Sequence, residues 1–262
     1  MTITWIMQVN LGKYDNAPKD SLKKFKRAVK SFIDMKDEDT SLIIVSDGCQ
    51  IAHKTYFKEF SKIKNIKYAF VEKTTPYMYD EYNDEPLSEY HRVGTRQLGR
   101  MLVDSTLTTY LDADDFLLPN AAKIIRENWK KAEEVNEINW AINSRWYDPS
   151  KVNEYIENTN YHGGKFAFGD IFTFDEPIKI KGLTGKYQQV GIEKPTKKVA
   201  NYAMNFIHRS GLNVSWKDTV YGIKGGSKAD VNFSNKLQKI KGGAIFEEAY
   251  YVRCRYSNLW DV

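Results

Sequence analysis

The sequence predicts an α/β fold: a mostly parallel sheet with helices on both faces and a smaller mixed region at the C-terminal end. Three observations predict it. Short apolar runs alternate with stretches of helical period along the first 144 residues, the pattern of βαβ units. The run Leu42-Ile43-Ile44-Val45 is continuously apolar rather than alternating, as a strand buried on both faces requires. Polar or turn-forming residues follow the strands directly, at Gln8–Asn10, Asp47-Gly48 and Asp112–Asp115. A parallel sheet collects such residues along one edge, where ligands bind.

In chain order, Ile3–Val9 is a short apolar strand. Asp20 is placed to cap a helix over Ser21–Met35, whose apolar positions Leu22, Phe25, Val29 and Phe32/Ile33 recur at helical spacing. Ser41–Ser46 is the second strand and ends in the Asp47-Gly48 turn signal. A helix over Tyr56–Ile63 and a strand at Ile66–Val71 follow, then a Tyr- and acid-rich loop, Thr74–Pro86. A helix from Ser88 to Val103 leads to the β-branched strand Thr106–Leu111. Pro119 and Asn120 open a helix over Ala121–Val135, and Ile138–Ser144 reads as the next strand. Glycines interrupt residues 145–200, which read as short strands and loops; helices near Asn201–Ile207 and Asp230–Ile240 and a strand at Ala244–Arg253 close the chain. Residues 1–144 thus form one half and 145–262 the other.

The 262 residues carry a formal net charge of +5, unevenly spread. Residues 1–150 hold 22 Lys/Arg against 23 Asp/Glu, whereas 151–262 hold 17 against 11. Between Pro177 and Ile245, 13 Lys/Arg face three acids, a field that attracts a polyanion or simply a solvated lysine-rich surface. No apolar run approaches the roughly 18 residues of a membrane helix. The start lacks a basic n-region and a small-residue cleavage site. Cys49 and Cys254 are far apart and in no metal-type spacing, so a reducing cytoplasm is the expected compartment. His91, His162 and His208 read as loop or surface histidines.

The sharpest feature is Tyr110-Leu111-Asp112-Ala113-Asp114-Asp115, three carboxylates crowded at a strand end. Hard divalent ions such as Mg²⁺ or Mn²⁺ take oxygen ligands and share carboxylates with substrate phosphates. The same residues also suit an Asp-rich turn or a helix start.

The order of Ile44-Val45-Ser46-Asp47-Gly48, then His91-Arg92-Val93-Gly94-Thr95-Arg96-Gln97-Leu98-Gly99, then Leu111-Asp112-Ala113-Asp114-Asp115 with Pro119, resembles the family 2 glycosyltransferases of the GT-A (Rossmann-like) fold. The resemblance covers Ile3–Asn120 well and the remainder weakly. It implies a nucleotide-sugar donor, UDP-linked by family default, a divalent cofactor (Mn²⁺ or Mg²⁺) and inversion. It places Asp47 on the nucleotide base and Arg96 on the base or a phosphate, with Gln8, Asn10 and Arg92 among the nucleotide-sugar contacts. Asp112 and Asp114 match the Asp-x-Asp motif and become the metal ligands, Asp112 also meeting the ribose, with Asp115 able to share the task. In Gly225-Gly226-Ser227-Lys228-Ala229-Asp230 the resemblance points to Asp230 as the general base, with Asp218, Glu247 and Glu248 in reserve. Ala229 departs from the family's acidic pair. Another departure is Arg253-Cys254-Arg255 where a histidine is common; arginine can hold a diphosphate but cannot ligate a metal.

The acceptor is expected on the C-terminal half. The favoured expectation is a hydroxymethylated base in phage-type DNA, with the basic stretch, Lys224 and Lys228 included, on backbone phosphates. Trp216, Tyr221, Phe166 and Phe168 would stack on an extruded base or else pack in the core. A surface glycan or lipid-linked saccharide is the alternative acceptor, and a non-catalytic nucleotide- or nucleic-acid-binding protein is the alternative class.

Overall fold

Strands that bury both faces organise the chain. The computed structural model describes residues 1–11, 20–72, 79–80, 85–86, 89–143, 145–147, 172–174, 191–193, 206–216, 229–246 and 251–253. Its elements in order are β1 (Ile3–Val9), α1 (Ser21–Asp34), β2 (Thr40–Asp47), α2 (Gln50–Thr55), which runs into one π-helical turn (Tyr56–Phe60), β3 (Ile66–Val71), β4 (Tyr79–Asp80), β5 (Glu85–Pro86), α3 (Glu89–Met101), β6 (Leu107–Tyr110) and β7 (Phe116–Leu117). Then come α4 (Ala121–Glu133), β8 (Trp140–Asn143), β9 (Arg145–Tyr147), β10 (Phe172–Phe174), β11 (Gly191–Glu193), β12 (Phe206–Arg209), α5 (Ala229–Gln238), β13 (Gly243–Phe246) and β14 (Tyr251–Arg253).

The main sheet has the order β13-β8-β12-β6-β1-β2-β3. β1 sits between β6 and β2, parallel to both, and β3 continues parallel beyond β2. β12 runs antiparallel to β6 and β8, and β13 is parallel to β8. A second sheet has the order β10-β11-β9-β14-β7. It begins directly after the acidic turn, where β7 pairs with β14. This is the mostly parallel α/β arrangement expected from the sequence.

Burial explains the central strands. All of β1 except Gln8 is buried, and Leu42–Val45 of β2 are fully so; each such side chain stabilises the fold by roughly 1.5–3 kcal/mol. α1 covers one face with Phe25, Ala28, Val29 and Phe32, the last meeting Trp5 edge-on at 6.0 Å. α3 lies so close to β1 that a Cβ on Gly99 would come 2.5 Å from Ile6 Cγ2. At the opposite end from the strand-end turns, Arg126 of α4 holds Asp37 through two hydrogen bonds and donates from Nε to the Met1 carbonyl. That guanidinium keeps the Asp37 carboxyl below the ordinary carboxylate range.

Four expectations are corrected. Asp20 does not cap α1 with its side chain: it adopts a left-handed conformation, and its carbonyl accepts from Lys24 N–H instead. The helix expected at Tyr56–Ile63 begins at Gln50, because the Cys49 sulfur caps it by accepting from Ala52 N–H. Residues 206 and 207 are strand, not helix; Phe206, Ile207 and His208 are consecutive and all buried, as in a strand covered on both faces. The strand expected over Ala244–Arg253 divides into β13 and β14, which join different sheets.

The close approach at Gly99 makes a paired prediction. Gly99→Ala destabilises by about 1–3 kcal/mol, because α3 must move off Ile6. Gly94→Ala, with nothing within 4 Å of its Cβ position, stabilises by up to about 1 kcal/mol through helix propensity. Urea denaturation of the two variants measures both shifts.

Candidate active site

Three turns leave the carboxyl ends of β6, β1 and β2, which are neighbours in the sheet. In register, Ile6 of β1 stands opposite Tyr110, and Val9 opposite Ser46. The Asp112–Asp115 turn, Gln8–Asn10 and Asp47-Gly48 therefore lie side by side. Gln8 is half-buried, Asn10 exposed and Asp47 buried. Gly48 takes φ +61° and donates its N–H to the Val71 carbonyl at the end of β3, a conformation that favours glycine. The Cys49 sulfur also accepts from Leu11 N–H at 3.2 Å, so one buried side chain joins the turn after β1 to the start of α2.

In the acidic turn, Asp112 and Asp114 are half-buried and Asp115 is buried. One oxygen from each carboxylate lies within 4.8 Å of the others. Asp115 N–H donates to the Asp112 carbonyl at 3.1 Å, closing the turn. Three converging carboxylate oxygens are a donor set that suits a hard divalent cation. α1 holds this turn from the side. Arg27 Nη2 donates to the Asp114 carbonyl at 2.8 Å, and its guanidinium lies 5.2 Å from the Phe116 ring centre. Ser31 Oγ accepts from Leu117 N–H at 2.9 Å while donating to the Ala28 carbonyl at 2.7 Å.

Beneath the acidic turn runs a buried hydrogen-bond chain. Trp216 Nε1 donates to Tyr110 Oη at 3.0 Å, and Tyr110 Oη pairs with His208 Nε2 at 3.2 Å. His208 Nδ1 lies 2.9 Å from the Arg209 carbonyl, to which only a protonated nitrogen can donate. The network therefore assigns a neutral Nδ1–H tautomer with Tyr110 donating to Nε2. Burial, with the nearby Arg100 charge, lowers the His208 pKa to about 3. His208 is thus no surface histidine.

Trp216 is likewise a correction. It is fully buried and stacked on Phe233 of α5, with ring centres 4.0 Å apart and planes within 2°. An extruded base has no access to it; core packing is its role. Arg96 lies with its guanidinium 4.8 Å from the Trp216 ring centre and is itself buried. Gln97 Oε1 accepts from Trp216 N–H and Ser215 Oγ, and Arg100 Nη2 donates to the Leu212 carbonyl. α3 thereby fixes 212–216, and Trp216 links it to α5.

Among the other expected site residues, Arg92 lies in α3, Asp230 in the first turn of α5 and Arg253 in β14. Arg255, Lys224, Lys228, Tyr221, Phe166, Phe168, Asp218, Glu247 and Glu248 lie outside the described residues. Sequence reasoning missed Arg27, Ser31 and the buried role of His208. Arg27 was hidden in a run with Lys23, Lys24 and Lys26, where nothing marks which cation faces the acidic turn.

Solved structures share this fold. Crystal structures of Staphylococcus aureus TarS residues 1–349 superpose with a TM-score of 0.58 at 12% identity over 96% of this chain, covering 60% of that one. The complex of TarS 1–349 with UDP gives 0.60 at 9% identity over 97%, and that with UDP-GlcNAc 0.57 at 11% over 100%. The chain spans about three fifths of the length of these structures. No family model and no curated protein sequence matches it. The chain thus shares the α/β fold of these TarS structures. Among the described residues, no helix is long and apolar enough to cross a membrane.

The buried histidine gives a pH signature. The unfolded chain binds a proton at this histidine below about pH 6.5, whereas the folded chain does not until about pH 3, so stability falls as pH drops through that window. His208→Gln, which keeps an acceptor for Tyr110, flattens the fall in urea midpoint between pH 7.5 and pH 5. An unchanged slope in the variant contradicts the assignment.

Proposed function

We propose that this protein is a glycosyltransferase that moves a sugar from a UDP-sugar to an acceptor hydroxyl with inversion. The observation that carries the reading is the carboxylate triad that follows β6, beside the ends of the neighbouring parallel strands β1 and β2, in a fold shared with a protein crystallised with UDP and UDP-GlcNAc. Asp47 faces the uracil, Arg96 the base or a phosphate, and Gln8, Asn10, Arg92, Arg253 and Arg255 complete the donor contacts. Asp112 and Asp114 would hold a divalent cation, which when bound would neutralise the diphosphate leaving group. Asp230 takes the proton of the acceptor hydroxyl. The acceptor oxygen then attacks the anomeric carbon on the face opposite the bond to the diphosphate, which breaks and releases UDP.

Lys224, Lys228 and the surrounding basic excess support an anionic acceptor, and DNA carrying hydroxymethylated bases is the one favoured. Incubation with a panel of UDP-sugars, Mn²⁺ and hydroxymethylcytosine-containing or unmodified DNA, followed by digestion to nucleosides, is expected to show a hexose or pentose mass gain on the modified DNA alone. UDP release without any gain on DNA overturns the acceptor and directs the search to surface glycans. Retention of the donor's anomeric configuration in the product overturns inversion.

Asp114→Ala is expected to lose roughly 10²–10³-fold in transfer rate, the scale of a few kcal/mol of lost charge stabilisation, with its urea midpoint nearly unchanged. Steady-state UDP release measures this; wild-type kinetics in the variant contradict the metal site.

A further inference from the structure

Arg27 and Ser31 stand one helical turn apart on α1 and so face the same way. Both end on the main chain of the acidic turn or the strand that follows it. Arg27 donates to the Asp114 carbonyl and lies over Phe116, while Ser31 receives the Leu117 N–H. Three carboxylates whose oxygens approach within 4.8 Å repel one another by about 1 kcal/mol per charged pair in water and more where water is excluded. That repulsion favours opening of the turn, which its own Asp115–Asp112 hydrogen bond and its neighbours resist. The two contacts from α1 oppose the opening, because they fix the carbonyl between two of the carboxylates and the first residues of β7.

We propose that Arg27, with Ser31, is a positioning residue for divalent-cation binding: it holds the acidic turn in the shape in which Asp112, Asp114 and Asp115 converge. This inference rests on the metal reading of that site given above. It has a sign that separates it from simple electrostatics. A guanidinium beside a cation site repels the cation, so removing its charge alone would tighten binding. Removing a positioning residue weakens it, on the scale of 10- to 100-fold known for groups that orient metal ligands.

The test is Mn²⁺ titration of the purified chain, with free Mn²⁺ read by its paramagnetic resonance signal. Wild type, Arg27→Met, Arg27→Lys, Ser31→Ala and Lys26→Met are compared. Lys26 is on the same helix and pairs with Glu59 on the surface at 2.6 Å, so its loss removes one charge from α1 without touching the turn. Arg27→Met is expected to raise the Mn²⁺ dissociation constant about tenfold, and Ser31→Ala to raise it in the same direction. Arg27→Lys, which keeps the charge but loses the planar fork and the contact with Phe116, stays weaker than wild type. Lys26→Met remains within about twofold of wild type, on the scale of a single exposed charge. Circular dichroism and urea midpoints establish that each variant is folded; if Arg27→Met is not, Ser31→Ala and Arg27→Lys carry the comparison. Binding in the Arg27 variants that is equal to or tighter than wild type, with wild type binding Mn²⁺, overturns this inference and leaves the metal site standing. No Mn²⁺ binding by the wild type overturns both.

Discussion

Parallel hydrogen bonding of β1 to β6 on one side and β2 on the other governs the rest of the molecule. It forces three separate stretches of chain to leave the sheet at the same edge and in adjacent positions. The acidic turn, Asn10 and Asp47 become neighbours although more than sixty residues separate the outer two in sequence. The pairing demands strands buried on both faces, hence the apolar runs of β1 and β2, and a helix close enough to seal β1, hence the glycine at position 99. At the far end the sheet is closed by the Arg126–Asp37 pair and Met1, opposite the edge with the turns.

A second constraint lies under that edge. Tyr110 is two residues before Asp112, and its hydroxyl is held between Trp216 and His208. A buried polar chain of this kind stabilises one arrangement only when every member is satisfied, and here each described member is. The same tryptophan stacks on Phe233 and lies against Arg96. Two helices are thereby tied to one ring: α3, with Arg96, and α5, with Asp230 in its first turn. The side chain that sequence reasoning offered to the acceptor instead joins α3 to α5.

The first half of the fold was legible because parallel strands write themselves as uninterrupted apolar runs ended by a turn, as Leu42–Val45 and Asp47-Gly48 do. The Asp112–Asp115 turn was legible because three carboxylates within four residues directly follow a β-branched strand. β12 was not, since a strand of Phe206, Ile207, His208 and Arg209 carries a histidine whose hydrogen bonds to Tyr110 and a backbone carbonyl are invisible without the partners. α2 was misplaced by its cap, a cysteine standing where an oxygen would signal a helix start. Asp20, an aspartate in the expected place, caps only through its backbone. The clamp of Arg27 and Ser31 depends on where α1 lies relative to a turn 87 residues away from Arg27, and periodicity carries no such information.

The claim on which the rest stands is that the edge formed by these turns receives a nucleoside diphosphate. A crystal structure of the chain grown with UDP and Mn²⁺ tests it most directly. The account predicts uracil against Asp47, with one ion between the diphosphate and the carboxylates of Asp112 and Asp114. UDP seated elsewhere, or an acidic turn empty of Mn²⁺ at saturating UDP, would contradict it.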